Sequence, residues 1–338
     1  MSLNNIEEIA TFIVADGKGI LAADESNPTC GKRFDSIGVD STEENRRDYR
    51  EMLFRSKGMK GNIGGVILFD ETIRQSAADG TSLRDVILGQ SSLPGIKVDK
   101  GLQPIEGCPG ETVTVGLDDL DGRLKEYASM GAKFTKWRAV INIGEGIPSD
   151  KCIDENMQAL AEYAKCAQDN GMVPIVEPEV LMDGNHSIDE CYEATDRSLK
   201  SLFVHLEKNG VNIKGTILKP NMVTSGKDCS EQAGVDEVAK RTLDCLMSNV
   251  PAELPGITFL SGGQPDVRAT AHLDAMNKIG GFPWKLSFSY GRALQAPALK
   301  AWEGKPENIS TAQDELSHRA EMNQLASLGE WEEKFEVR

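Results

Sequence analysis

The sequence predicts an α/β protein, a single (β/α)8 TIM barrel over residues 1–338 with additional terminal helices. Three observations carry that reading. Eight short apolar runs recur along the chain, roughly 30–45 residues apart, which suits a barrel of about 250 residues with insertions. Helical patterns separate most of them, and strand–helix alternation implies right-handed βαβ units in a parallel sheet. No composition shift or long linker marks a second domain.

In chain order the strand segments are "GILAADES", "GGVILFDE", "GIKVDKG", "KFTKWRAVINI", "MVPIVEPEV", "IKGTILKP", "GITFLSGG" and "WKLSFSYGR". Each is strand-length and rich in Val, Ile, Leu, Phe or Gly. "NMQALAEYAKCAQDNG" and "DEVAKRTLDCLMSNV" are helical patterns between them, and "STEENRRDYREMLFR" opens with Ser41 and Glu44 at capping-box spacing. The segment "AQDELSHRAEMNQLASLGEWEEKFEVR" reads as an extra helix and a short charged end. An open doubly wound sheet would carry a G-x-G-x-x-G after its first strand, and "ADESNPTCGKR" is not one.

Polar residues gather at the strand ends. Asp24 ends the first segment, Asp99 and Lys100 the third, and Lys219 the sixth. The fourth carries Lys136 and Arg138, and the fifth Glu177 and Glu179. The seventh ends on Ser261 and the eighth near Ser289 and Arg292. Any one of these reads equally as a solvated strand end. In a barrel, however, the carboxyl ends of all strands meet at one face, where active sites are built. Residues two apart on a strand share a face, so Lys136 and Arg138 point together with Trp137 opposite, and Glu177 pairs with Glu179. Glu177 among apolar neighbours is expected to have a raised pKa.

Lys219 ends an apolar strand and is followed by Pro220, which keeps the preceding residue extended. Desolvation favours the neutral amine, a nucleophile that forms a Schiff base with a ketone. An ordinary ion pair with Glu177 or Glu179 fits the residues as well. In "FLSGGQPDVRATAHL" Gly262 and Gly263 close a strand and a helix begins near Pro265, the pattern of an anion site at a helix N-terminus. Gly291 and Arg292 in "SYGRAL" join it, because the loops after strands seven and eight are the usual phosphate site of this barrel. Two tight turns would give the same glycines. Lys32, Arg33 and Lys100 point to a second anionic group, or are surface charges.

The formal net charge of −16 argues against nucleic-acid binding, which needs a basic face. The seven cysteines are scattered without C-x-x-C, as expected of reduced thiols. His186, His205, His272 and His318 fall at no strand end and in no zinc-binding spacing, so no metal and no cofactor are expected. No apolar run approaches the roughly 20 residues of a membrane span, and the amphipathic, acidic start "MSLNNIEEIATFIVADGKG" is no signal peptide.

Together "GKGILAADES", "TEENRRDYR", "GGVILFDET", "PGIKVDKG", "AKFTKWR", "VPIVEPE", "LKPNMVT", "FLSGGQ" and "FSYGRALQ" resemble class I fructose-1,6-bisphosphate aldolase over nearly the whole chain. The resemblance implies reversible, metal-independent cleavage of the bisphosphate to dihydroxyacetone phosphate and glyceraldehyde 3-phosphate through a lysine imine. By motif it makes Lys219 the Schiff-base lysine and Glu177 the principal proton carrier, with Glu179 beside it. Asp24 becomes a carboxylate on the reacting hydroxyls and Lys136 a charge that positions the imine. Ser261, Gly262, Gly263, Ser289, Gly291 and Arg292 would hold the first phosphate. Arg33, Ser26, Thr29, Lys100 and Arg138 would serve the substrate at the other phosphate.

The resemblance further implies a homotetramer and a cytoplasmic protein, although "SNPTCGKR" is closer to the plastid branch, which a removed transit peptide would allow. Many eukaryotic members end in a tyrosine-tipped tail that assists enamine protonation; here Tyr290 is the last tyrosine. The rival readings are a lysine aldolase for a related sugar phosphate, a non-catalytic scaffold on the same barrel, and a metal-dependent aldolase.

Overall fold

The computed structural model describes residues 3–337. Ten strands form: β1 (Gly19–Ala23), β2 (Ile63–Leu68), β3 (Leu93–Lys97), β4 (Leu102–Pro104), β5 (Thr112–Thr114), β6 (Phe134–Ile141), β7 (Val173–Val180), β8 (Ile217–Leu218), β9 (Gly256–Phe259) and β10 (Lys285–Tyr290). Eight of them close a barrel in the order β1-β10-β9-β8-β7-β6-β3-β2, each paired in parallel with its neighbours. The other two, β4 and β5, form a separate antiparallel hairpin inserted after β3. The eight barrel strands are the eight segments read from the sequence.

Side-chain parity explains the site. Along the inner face of β7, Val173 and Ile175 lie in the lumen cluster, and Glu177 and Glu179 follow at the same parity. On β6 the series is Phe134, Lys136, Arg138; on β1 it is Ile20, Ala22 and then Asp24; on β8 it is Ile217 and then Lys219. The lumen is therefore apolar at its amino end and charged at its carboxyl end. Trp137 points outward and stacks on Tyr163 of the helix Asp150–Asp169, ring centroids 5.5 Å apart.

The helix Ile6–Ile13 closes the amino end. Asn5 caps it by accepting from the Glu8 N–H, and Ile9, Ala10, Ile13 and Val14 enter the lumen cluster. Burying an isoleucine side chain stabilises by about 1.5–3 kcal/mol, so Ile9 and Ile13 alone anchor this helix firmly. The Phe134 ring lies across β3, and a Cβ on Gly95 would come within 2.2 Å of it, which is why that position is glycine.

Two local expectations differ. The helix Glu43–Phe54 is capped by Thr42, which accepts from the Asn45 N–H, and not by Ser41. Ser41 instead accepts through its carbonyl from Arg46, whose guanidinium also binds Glu71. "IKGTILKP" is mostly not strand: Ile213–Gly215 is a 3-10 turn, started by the Asn212 side chain accepting from the Lys214 N–H. Only Ile217–Leu218 pair, although the Lys219 N–H still donates to the Val176 carbonyl at 2.8 Å and holds the lysine in line with β7.

Candidate active site

A cleft of about 1030 Å³ opens at the carboxyl ends of the barrel strands. Asp24, Ser26, Thr29, Arg33, Lys100, Lys136, Arg138, Glu177, Glu179, Lys219, Ser261, Gly262, Ser289, Gly291 and Arg292 all line it. Gly263 stands just behind the lining, against Arg292. Residues from seven strand ends thus converge, as the barrel topology requires.

At the cleft floor four groups interlock. Lys219 Nζ lies 2.9 Å from Glu177 Oε1, and Lys136 Nζ lies 3.4 Å from Glu177 Oε2 and 2.7 Å from Asp24 Oδ2. Lys136, Glu177 and Lys219 are buried, so these charges act in a weakly screened space. Burial pushes the Asp24 carboxyl up, but Lys136, Lys219 and Lys97 outweigh it and hold it well below the usual carboxylate range. Burial lowers Lys136, yet Asp24 and Glu177 keep it charged, above the ordinary lysine value.

Glu177 corrects an expectation. Its burial does raise the carboxyl, but Lys219, Lys136 and Arg138 lower it more, and the net direction is down. The sequence showed apolar neighbours along the strand, whereas the deciding charges come from β6 and β8 on either side. Glu179 is paired with Arg138, which places that guanidinium on the β6–β7 side of the cleft. At the end of β3, Lys97 Nζ bonds Asp99 Oδ1 at 2.5 Å.

Two glycine loops and two helix starts form one end of the cleft. Gly262 and Gly263 have φ of 60° and 87°, and the helix Asp266–Ile279 follows at once. The helix Arg292–Trp302 begins after Gly291. Ser289 offers a buried hydroxyl with no hydrogen-bond partner, and Arg292 has no ion-pair partner among the described residues. Backbone N–H groups, a free hydroxyl and a free guanidinium are what a phosphate needs.

The other basic residues divide. Ser26 and Thr29 hold their hydroxyls 3.0 Å apart at the start of the helix Asn27–Asp35, and Lys100 sits at the rim, 3.1 Å from Asp119. Arg33 was expected at the second phosphate with them. Its guanidinium instead pairs with Glu25 and lies against Gly291, 3.6 Å from where a Cβ would stand. Closure of the barrel is the reason: β1 pairs with β10, so the helix after β1 turns its basic face towards the loop after β10.

Sequence reasoning passed over Glu25, Lys97, Gln295 and Lys227. Lys97 was findable, since it shares strand parity with Asp99. Gln295 gave no signal, yet it accepts from Tyr49 OH at 3.0 Å and donates to Glu25 at 3.0 Å and to the Ala22 carbonyl at 2.6 Å. No group of three or more His, Cys, Asp or Glu among the described residues is arranged to hold a metal ion.

A family model described as fructose-bisphosphate aldolase class-I matches residues 5–338. A protein of Xanthomonas axonopodis pv. citri named "Probable fructose-bisphosphate aldolase class 1" is 54% identical over 332 residues, covering 98% of this chain and 99% of that protein. The chloroplastic fructose-bisphosphate aldolase of Oryza sativa is 47% identical, covering 97% of this chain and 84% of that protein. The solved structure of Plasmodium falciparum fructose-bisphosphate aldolase, in complex with TRAP and a small-molecule inhibitor, superposes with a TM-score of 0.95 at 46% identity, covering 97% of this chain and 95% of that one.

Proposed function

The chain belongs to the class I fructose-bisphosphate aldolase family, and from that premise we propose that its chemistry runs through an imine on Lys219, with no metal. The reaction is reversible cleavage of fructose 1,6-bisphosphate to dihydroxyacetone phosphate and glyceraldehyde 3-phosphate. The observation that carries the assignment to Lys219 is its 2.9 Å contact with Glu177, inside the cleft and at the end of its strand.

Lys219 passes a proton to Glu177 and its amine attacks the substrate C2 carbonyl. The carbinolamine loses water, with Glu177 returning a proton to the departing hydroxyl, and an iminium forms. The C3–C4 bonding pair flows into that iminium as a carboxylate takes the C4 hydroxyl proton. Asp24 and Glu177 are the carboxylates available, and both are held ionised by the lysines around them. Glyceraldehyde 3-phosphate leaves, the enamine is protonated at C3, and hydrolysis of the imine releases dihydroxyacetone phosphate. Lys136, kept charged between Asp24 and Glu177, orients both carboxylates and stabilises charge as it moves.

The first phosphate is assigned to Ser261, Gly262, Gly263, Ser289, Gly291 and Arg292, with Arg33 beside them. Ser26, Thr29, Lys100 and Arg138 are assigned to the second. We also propose that residues 1–338 work as one barrel unit, in a homotetramer, in the cytoplasm or in a plastid. No helix among the described residues is long and apolar enough to cross a membrane.

The test is borohydride reduction with dihydroxyacetone phosphate in the presence of EDTA, followed by peptide mass spectrometry. A single reduced adduct on Lys219 is expected. An adduct on another lysine, or loss of cleavage in EDTA that zinc restores, would overturn the assignment.

A further inference from the structure

We propose that Lys227, which lies outside the motifs of the barrel mouth, is a further binding residue for the phosphate at the Gly262–Gly263 loop. The inference rests on the aldolase reading above and adds one specific residue to it.

Lys227 is fixed at its backbone. Between β8 and the helix Val235–Asn249 the chain runs alongside the loop after β7. The Gly226 N–H donates to the His186 carbonyl at 2.8 Å, Lys227 N–H to Met182 at 2.8 Å and Asp228 N–H to Gly184 at 2.9 Å. The two loops touch at the backbone: a Cβ on Gly226 would stand 2.4 Å from the Gly184 carbonyl oxygen. Met182 in turn packs on Gly262, its Sδ 3.1 Å from the position a Cβ would take. Lys227 is therefore mounted on the scaffold that supports the phosphate loop itself.

Its ammonium converges on that loop. From the position of a Cβ on Gly263, Arg292 Nη2 is 2.9 Å away and Lys227 Nζ is 3.2 Å away. Two cations of like sign crowd one glycine whose backbone is turned to positive φ. Lys227 pairs with Asp183, whose Oδ1 lies 2.9 Å from Lys227 Nζ and whose side chain is 67% exposed, and Arg292 pairs with no carboxylate among the described residues. The hydrogen bond from Lys227, with Arg292 and Arg138 adding their fields, holds the Asp183 carboxyl below its ordinary range, which agrees with the three cations gathering there. One exposed carboxylate leaves the positive potential at the loop largely uncompensated. A substrate phosphate seated on the Gly262 and Gly263 N–H groups would meet Arg292 on one flank and Lys227 on the other, with Lys227 shared between phosphate and Asp183.

A solvated surface pair between Lys227 and Asp183 would look similar, and the two cases part on the sign of the Asp183 effect. Steady-state kinetics with fructose 1,6-bisphosphate and fructose 1-phosphate, together with competitive inhibition by inorganic phosphate, provide the readouts. Lys227→Ala is expected to raise KM for both sugars and Ki for phosphate about threefold to tenfold, in KM more than in kcat. Lys227→Arg should restore most of the loss. Asp183→Asn should act in the opposite direction and lower the phosphate Ki, because it frees Lys227. An unchanged Ki in Lys227→Ala, or an Asp183→Asn variant that weakens phosphate as Lys227→Ala does, would overturn the inference. Should Lys227→Ala fail to fold, Lys227→Gln makes the same comparison. A wild-type enzyme that cleaves neither sugar refutes the aldolase reading instead, and wild-type turnover with an unmoved phosphate Ki refutes only the role of Lys227.

Discussion

Glu177 holds two lysines at once: its Oε1 is 2.9 Å from Lys219 Nζ and its Oε2 is 3.4 Å from Lys136 Nζ. The carboxylate is the counter-ion that makes two buried ammonium groups tolerable, and in the proposed mechanism it also accepts the proton of Lys219. Under that proposal catalysis and stability meet in one side chain.

Glu177→Gln keeps the volume and removes the charge. A lost general acid–base typically costs about 10²–10⁴ in rate, and kcat should fall into that range. Lys136 would keep its contact with Asp24 while Lys219 loses the carboxylate it is paired with, and breaking a buried pair costs about 3–5 kcal/mol. A drop in Tm should accompany the drop in kcat. A variant with full stability and lost activity would mean that the two ammonium groups do not depend on Glu177 as their contacts imply.

Lys136→Met tests how the carboxylates are held. Asp24 and Glu177 both lie below the ordinary range because lysines outweigh their burial, and Lys136 contributes to each. Removing a cation raises a carboxylate pKa, so the acid limb of kcat/KM should move to higher pH. Imine trapping on Lys219 should persist, more slowly. An acid limb that stays in place would show that neither carboxylate governs it.

Much of this site is legible in the sequence. Lys136, Glu177 and Lys219 were legible because strand parity is two and a barrel brings its strand ends together, so a charge ending an apolar run has one destination. The sign of the Glu177 shift was not legible. It depends on ammonium groups arriving from neighbouring strands at about 3 Å, a distance that no reading along one strand supplies. The 3-10 turn at Ile213–Gly215 was hidden for a different reason: its apolar residues fit a strand, and the Asn212 cap that overrides this is a single side-chain bond.

Arg33 shows the same limit from the side of topology. It contacts Gln295, 262 residues away, at 3.3 Å, and lies beside Gly291 only because the barrel closes between β1 and β10. Arg33→Ala should therefore raise KM about tenfold for fructose 1,6-bisphosphate and for fructose 1-phosphate alike, as expected for a charge-assisted contact to the phosphate they share. A loss confined to the bisphosphate would return Arg33 to the other end of the cleft.

The Gly262–Gly263 loop also has a buried histidine, His272, behind it, and this sets a pH dependence of stability. His272 Nδ1–H donates to Gln264 Oε1 at 2.6 Å, while Nε2 is buried with no partner. Burial, with Arg268 adding, pushes its pKa down to about 4. In the unfolded chain the ring titrates near its model value of 6.5. Between those values the unfolded chain binds a proton that the folded protein refuses, so stability is complete above about pH 6.5 and declines as pH falls towards about 4. A depression of this size corresponds to about 3 kcal/mol, of which about 2 should be lost by about pH 5, before most carboxylates begin to titrate. Urea denaturation at about pH 7.5 and pH 5 should show that loss in the wild-type protein and a smaller one in His272→Gln, whose side chain has no proton to gain. His186 is also depressed by burial and remains in both proteins, so its contribution cancels in the comparison. Equal losses in the two proteins would mean that the buried ring accepts its proton in the folded state, and that the Gln264 contact does not hold it neutral.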